Sequence, residues 1–176
     1  MATVLISGAG PIGLTMANEL ARYGVSVRIV DKEAHRTDKS KALVLWSRTL
    51  ELLDHGGYAE PFVKAGMQGH GVQISDGTNI VARARLDIMD SRYPYALLIA
   101  QSETERVLEE CLAKRGVKVE RNTTMESFAE KGAGIEAVLR RPGGSSEAVR
   151  ADWVLGCDGA HSPPRHGAGV DFQGTT

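Results

Sequence analysis

Several features that define whole classes of protein are scarce in this chain of 176 residues. Its two cysteines, Cys111 and Cys157, have no CxxC spacing and lie in apolar-patterned segments. This pattern is typical of buried thiols in a reducing compartment and implies no disulfide framework. The apolar runs are short and no basic segment precedes the first one, so neither a membrane span nor a signal peptide is predicted. We therefore expect a cytoplasmic protein with no membrane partner.

The chain also lacks an excess of either charge. Its formal net charge is -1, and its 21 Lys and Arg residues are spread along the sequence. Nucleic acid is therefore not an expected partner. The five histidines are not paired with Cys or acids at metal-ligand spacing, so no metal site is expected. No G-x-S-x-G elbow is present to supply a serine nucleophile.

What the chain does have is glycine in a phosphate-binding arrangement. Gly8, Gly10 and Gly13 follow the apolar run TVLI and open a helical pattern that ends at Gly24. Val25 to Val30 predicts a second strand, which gives a right-handed βαβ unit with parallel strands. In a G-x-G-x-x-G loop the first glycine permits the tight turn and the second lets backbone approach a pyrophosphate. The third lets the helix pack against the strand.

Acids follow two of the predicted strands. Asp31 lies about 20 residues beyond the glycine loop, where a carboxylate can accept hydrogen bonds from ribose hydroxyls. An acid here disfavours a 2′-phosphate, so FAD or NAD is predicted rather than NADP. The alternative is a structural glycine turn with a solvent-facing acid. Asp158 and Gly159 follow DWVLGC, at the kind of strand end where open α/β sheets bind ligands, although an ordinary Asp-Gly turn explains this pair equally well.

Two later segments have helix patterns. SRTLELLD has helix composition, with Ser47 as a possible N-cap. SETERVLEECLAKR opens like a capping box formed by Ser102 and Glu105. The carboxylates of this second segment are predicted to form the outer face of the helix, with no acid-base role: Glu103, Glu105, Glu109 and Glu110.

Antiparallel signals interrupt the α/β pattern. Asp76-Gly77 stands between two alternating runs, which predicts a hairpin. YPYALLIAQ predicts a further strand, and the short runs VKVERN, MESFAE, IEAVLRR and EAVRA predict a β-meander. DWVLGC then has the continuous apolar character of a buried parallel strand.

Four segments in chain order resemble the N-terminal part of the group A flavoprotein monooxygenases, the FAD-dependent aromatic hydroxylases related to p-hydroxybenzoate hydroxylase and phenol hydroxylase. The segments are GAGPIGLTMANELARYGVSVRIVDKE, SKALVLWSRTLELL, IAQSETERVLEECLAKRGVKV and DWVLGCDGAHSPPR. The resemblance implies an α/β fold with a Rossmann-like, glutathione-reductase-type FAD-binding parallel sheet, a β-meander crossover and part of an antiparallel substrate-domain sheet. It assigns residues 1–68 to an FAD-binding βαβ unit with its following helix, 69–100 to a partial substrate-domain segment and 101–176 to the remainder of the FAD-binding domain.

The resemblance also implies which residues bind FAD. Lys41 and Arg48 correspond to basic residues near the FAD phosphates, whose charge they would offset. Gln101 corresponds to a contact with the ribityl-diphosphate portion. For Arg48 a solvated charge on a helix remains the alternative. The complete implied set is Gly8, Gly10, Pro11, Ile12, Gly13, Asp31, Lys32, Lys41, Arg48, Gln101, Asp158 and Gly159.

Two residues near the end correspond to positions where the family places NAD(P)H contacts. They are His161 and Arg165. Pro163-Pro164 precedes the arginine, where the family usually has an apolar residue, and two prolines fit only a first helical turn or a loop. This departure weakens the assignment of Arg165.

The implied activity is hydroxylation of a small, phenol-like aromatic substrate with FAD, NAD(P)H and O2, through a flavin C4a-hydroperoxide. The cofactor carries this chemistry, so no catalytic side chain is predicted. The family continues through a substrate sheet and a third, Gly-Asp fingerprint. We therefore expect an N-terminal portion that is inactive and binds FAD weakly until the rest of the polypeptide or a homo-oligomer partner completes the site. The alternatives are another FAD-dependent oxidoreductase of this fold and a truncated, non-catalytic nucleotide-binding module.

Overall fold

The computed structural model of the chain describes residues 3–38, 42–171 and 173–174. The described strands are β1 (Thr3–Ser7), β2 (Ser26–Val30), β3 (Val44–Leu45), β4 (Met67–Gly69), β5 (Gly71–Ser75), β6 (Ile80–Arg85), β7 (Ala96–Leu98), β8 (Val119–Glu120), β9 (Thr124–Lys131), β10 (Gly134–Arg140), β11 (Ser146–Ala151) and β12 (Trp153–Gly156). The helices are α1 (Pro11–Arg22), α2 (Ser47–His55), α3 (Glu60–Ala65), α4 (Gln101–Lys114), α5 (Pro163–Gly167) and a 3₁₀ helix (Gly159–His161). Two compact units contain them, Met1–Arg36 with Leu108–Thr176, and Thr37–Val107.

The first unit is built on a four-stranded parallel sheet in the order β12-β1-β2-β8. Helix α1 connects β1 to β2, so the βαβ unit predicted from the first 30 residues is confirmed. Ser7, the last residue of β1, is in register with Val30 of β2 and with Gly156 of β12. The carboxyl ends of three strands therefore lie side by side, at the edge where ligands bind in open α/β sheets.

An antiparallel sheet of β9, β10 and β11 joins β8 to β12 and forms the predicted β-meander. The first run assigned to the meander, VKVERN, was assigned wrongly. Its residues Val119 and Glu120 pair in parallel with β2, because this strand follows α4 and continues the βαβ pattern. One buried hydrophobic cluster of the unit lies where the two sheets pack, and it contains Leu5, Val30, Met125, Ala137, Leu139 and Ala151.

Helix α1 buries small residues against the rest of the first unit. Gly13 and Ala17 are buried, whereas Ile12 is 72% exposed and Tyr23 68% exposed. The fully buried Asn18 donates from Nδ2 to the carbonyl oxygens of Leu14 and Leu108, each at 2.9 Å. Small side chains let the helix approach closely, and the amide of Asn18 satisfies buried carbonyl groups that cannot reach water.

The second unit contains a small antiparallel sheet, β3-β7-β4, and the hairpin β5-β6. Asp76 forms the predicted turn, since its Oδ1 accepts hydrogen bonds from the N–H groups of Thr78 (3.0 Å) and Asn79 (2.7 Å). The strand predicted in YPYALLIAQ is limited to Ala96–Leu98. Among the described residues, no helix has both the length and the apolar composition that a membrane crossing needs.

Both predicted N-caps in this unit were wrong. Trp46 occupies the N-cap of α2, and the Ser47 hydroxyl donates to the Tyr93 carbonyl oxygen at 2.7 Å instead. Helix α4 begins at Gln101, whose side chain donates to Glu105 Oε1 at 2.9 Å. Glu105 is only 3% exposed, so it does not lie on an outer face as predicted. A tertiary hydrogen bond therefore uses the Ser47 hydroxyl, whereas Glu105 forms its hydrogen bond within its own helix, with Gln101 four residues earlier.

A charged network ties the strands of the first unit together. Arg28 of β2 donates to both oxygens of Glu120 (2.6 and 2.9 Å) and of Glu147 (2.8 and 2.9 Å). Arg141 also contacts both carboxylates. The hydrogen bonds from Arg28 lower the pKa of Glu120 and of Glu147 and raise the pKa of Arg28 itself.

We predict that the stabilisation from this network disappears in acid. Because the pKa values of both glutamates are depressed below 4.5 in the folded protein, the network contributes stability above pH 4.5 and loses it as the pH falls through the lowered values. Arg28→Met should reduce the free energy of unfolding by about 1–3 kcal/mol at pH 7. Urea unfolding at a series of pH values from neutral to strongly acidic should show this difference shrinking.

Lys64→Met is the matched control, because Lys64 forms an exposed ion pair with Glu60 within helix α3. It should cause no comparable loss at any pH. If the difference in the free energy of unfolding between the wild type and Arg28→Met stays constant through the acid range, the assignment of the pH dependence to these glutamates is contradicted.

Candidate functional site

The glycine loop lies between β1 and α1, and its three glycines meet different constraints. Gly8 has φ +102°, and a Cβ on it would lie 2.5 Å from the carbonyl oxygen of Cys157. A Cβ on Gly13 would lie 1.9 Å from the carbonyl oxygen of Gly8. A Cβ on Gly10 would have no atom within 4 Å. The outer two glycines are therefore required by the fold, whereas Gly10 faces open space.

The N-terminus of α1 is available to an anion. Gly10 is its N-cap and has no side chain that could cap the helix, and no acidic residue lies in the first turn. Pro11 has no N–H, and the helix begins its hydrogen bonds with Leu14 N–H to the Gly10 carbonyl at 2.9 Å. The N–H groups of Ile12 and Gly13 belong to this first turn, where unsatisfied donors and the positive end of the helix dipole favour negative charge.

Asp31 follows β2 and contacts the glycine loop directly. Its Oδ2 accepts a hydrogen bond from the Ala9 N–H at 2.6 Å, and its Oδ1 accepts one from the Glu33 N–H at 2.8 Å. Arg121 Nη1 lies 4.0 Å from the same Oδ2. Each carboxylate oxygen can accept more than one hydrogen bond. Asp31 thus shapes the loop and keeps acceptor capacity for a ribose hydroxyl.

Asp158 lies at the same sheet edge, directly after β12. A Cβ on Gly8 would come 2.7 Å from the Cα of Asp158, so the two segments are in contact. The Ser7 hydroxyl donates to Asp158 Oδ2 at 2.9 Å. The other oxygen, Oδ1, is buried and has no hydrogen-bond partner within the described part of the chain. An unsatisfied buried acceptor costs about 1–3 kcal/mol, which a ligand donor would recover.

Four further residues are predicted FAD contacts. Lys32 is exposed beside Asp31, and Lys41 lies outside the residues that the structure describes. Arg48 on α2 has a side chain that is 77% exposed and pairs with Glu51 at 3.0 Å. Gln101 begins α4 and bonds Glu105. Arg48 and Gln101 belong to the second unit.

The segment after Asp158 is tightly folded on itself. Gly159 has φ +80° and begins the 3₁₀ helix that ends at His161. Pro163-Pro164 forms the first turn of α5, as the sequence allowed, and Ser162 caps that turn by accepting from the Arg165 N–H at 3.1 Å. Arg165 Nη2 donates to the Ala160 carbonyl oxygen at 2.8 Å. Part of this guanidinium therefore binds its own loop.

Sequence reasoning missed two residues of this site. Ser7 was given no role, and Arg121 was included only in the run VKVERN that was assigned to the meander. Arg121 donates to Glu109 at 3.1 Å while approaching Asp31. The only local signal for Ser7 is its position directly before the first glycine. Among the described residues, no group of three or more His, Cys, Asp or Glu side chains is arranged to hold a metal ion.

Comparison with known proteins gives a consistent result. Residues 1–176 match the family model described as FAD binding domain. The chain is 35% identical over 177 residues to pentachlorophenol 4-monooxygenase of Sphingobium chlorophenolicum, covering 98% of this chain and 32% of that protein.

Solved structures agree with the sequence matches. The crystal structure of p-nitrophenol 4-monooxygenase from Pseudomonas putida DLL-E4 superposes with a TM-score of 0.92 at 28% identity, covering 99% of this chain and 46% of that one. Aklavinone-11 hydroxylase, solved with FAD and aklavinone, superposes with a TM-score of 0.86 at 29% identity, covering 98% and 36%. The chain thus spans about a third to a half of the length of these relatives.

The different constraints on Gly10 and Gly13 give a prediction about stability. Gly13→Ala should lower the free energy of unfolding by about 1–3 kcal/mol or more, because the new Cβ collides with backbone. Gly10→Ala should change it by less than about 1 kcal/mol, since a poorer N-cap is opposed by a stiffer unfolded chain. Urea unfolding without nucleotide measures both, and equal losses in the two variants would contradict the described loop geometry.

Proposed function

Because the chain belongs to the FAD binding domain family, we propose that its glycine loop holds the ADP half of FAD in a flavin-dependent monooxygenase of small aromatic compounds. The observation that carries this proposal is the uncapped N-terminus of α1 beside Asp31. The loop offers backbone donors to a pyrophosphate, and the acid offers an acceptor to the adjoining ribose.

The described residues fit this cofactor. The open space at Gly10 is where a Cβ would otherwise block a phosphate from the backbone. The buried Oδ1 of Asp158 lacks a donor, and a bound dinucleotide carries hydroxyl groups and ordered water that can supply one. FAD, when bound, would supply the redox chemistry that activates O2 for aromatic hydroxylation.

Within that scheme, the residues of this chain bind and orient the cofactor. Gly8 and Gly13 keep the loop close to β12, so the first turn of α1 faces the sheet edge where the nucleotide would lie. Asp31 fixes the loop through Ala9. We assign no proton transfer to any of these side chains, because the flavin and the substrate carry the reacting atoms.

The finer parts of the proposal rest on the relatives. Pentachlorophenol and p-nitrophenol, in the names of two relatives, are phenols, which supports a phenol-like substrate and O2 as the second reactant. NAD(P)H as the reductant, with His161 and Arg165 as its contacts, is also part of the proposal. Lys32, Lys41, Arg48 and Gln101 are proposed as further FAD contacts.

Nucleotide binding by this chain tests the proposal. ADP and FAD should bind with dissociation constants within a few-fold of each other in isothermal titration, whereas FMN, which lacks the ADP half, should bind far more weakly. Gly10→Ala should weaken ADP and FAD binding at least about tenfold, equivalent to about 1.4 kcal/mol, because its Cβ occupies the phosphate path.

Gly174→Ala is the matched control. It also adds a Cβ with no atom within 4 Å, but outside the glycine loop, and it should leave both affinities unchanged. The proposal fails if the wild-type chain binds neither ADP nor FAD, or if FMN binds as tightly as ADP.

A further inference from the structure

Ser7 connects the two halves of the candidate site. It is the last residue of β1 and only 5% exposed, and its hydroxyl donates to Asp158 Oδ2 at 2.9 Å. Its carbonyl oxygen accepts the Cys157 N–H at 2.7 Å. Backbone and side chain of one residue therefore tie the glycine loop to the segment that carries Asp158.

The carboxylate of Asp158 does not cap the helix that follows it. Asp158 is the N-cap of the 3₁₀ helix Gly159–His161, yet its side chain makes no capping hydrogen bond. An N-cap aspartate normally accepts from a backbone N–H of the helix it precedes. Here Ser7 supplies the donor for Oδ2, and this donor comes from 151 residues away in the sequence.

The second carboxylate oxygen of Asp158, Oδ1, is available to accept a hydrogen bond from a ligand. Oδ1 is buried without a hydrogen-bond partner in the described part of the chain, and buried polar atoms in folded proteins are almost always paired. The Asp158 backbone lies against Gly8 of the glycine loop. These contacts therefore indicate that a ligand bound on that loop supplies the hydrogen-bond donor that Oδ1 lacks.

We propose that Ser7 is a positioning residue that fixes the Asp158 carboxylate, so that Oδ1 accepts a hydrogen bond from an O–H group of the bound nucleotide or of a water that the nucleotide orders. The inference rests on the proposed function, since it requires a nucleotide on the loop. Ser7 itself does not touch the ligand. Its contribution acts through Asp158.

A double-mutant cycle in the full chain tests this role. The wild type, Ser7→Ala, Asp158→Ala and the double variant are titrated with ADP and with FAD. Ser7→Ala should weaken binding about three- to tenfold in the wild-type background and have no further effect when Asp158 is already alanine. A loss with both ligands places the donor in the ADP half or its water, and a loss with FAD alone places it on the ribityl chain.

Conservative variants provide the second readout. Ser7→Thr keeps the hydroxyl and should retain wild-type affinity. Ser7→Val, which has the shape of threonine but no hydroxyl donor, should not. Ser162→Ala removes another serine that is 5% exposed and whose hydroxyl caps α5. Its effect on nucleotide affinity should be independent of Asp158.

The outcomes separate the two proposals. A wild-type chain that binds neither ADP nor FAD overturns the proposed function and the inference with it. Binding by the wild type together with additive effects of Ser7→Ala and Asp158→Ala overturns the inference alone. So does equal affinity of the Thr and Val variants, a pair that also decides the question if Ser7→Ala fails to fold.

Discussion

The contact between Gly13 and the Gly8 carbonyl is the constraint on which the rest of the site depends. There is no room for even one methyl group, because a Cβ on Gly13 would lie 1.9 Å from that oxygen. This approach brings the first turn of α1 down to the carboxyl end of β1. Since β1 is in register with both β2 and β12, it also places Asp31 and Asp158 beside the helix N-terminus.

Two acids beside a phosphate site need an electrostatic explanation. Both oxygens of Asp31 already accept backbone N–H groups, and Arg121 lies 4.0 Å from one of them. One oxygen of Asp158 is held by Ser7. These hydrogen bonds fix the orientation of each carboxylate and offset part of its negative charge. The uncapped N-terminus of α1 remains the feature that attracts the anion.

The sequence predicts the part of the fold in which local pattern and tertiary structure agree. Glycine spacing, strand periodicity and the acid after β2 define the βαβ unit, and the Asp76 turn defines the hairpin. Prediction failed for Glu105, which is buried and accepts a hydrogen bond from Gln101 one turn earlier in the same helix instead of facing solvent. It also failed where a distant partner determines the role of a residue, as for Ser47, whose hydroxyl donates to the Tyr93 carbonyl oxygen instead of capping α2. Ser7 belongs to the same class, because its partner Asp158 is brought close only by the β1–β12 pairing.

The central claim is that a nucleotide binds across the glycine loop of the first unit. The most direct test is an amide ¹H–¹⁵N correlation spectrum of the chain recorded during titration with ADP. We predict that the largest shifts fall on the N–H groups of Gly10, Ile12 and Gly13, with smaller ones at Asp31 and Asp158, while the β5–β6 hairpin is unaffected. Unchanged loop amides at saturating ADP, or shifts confined to the hairpin, would contradict the account.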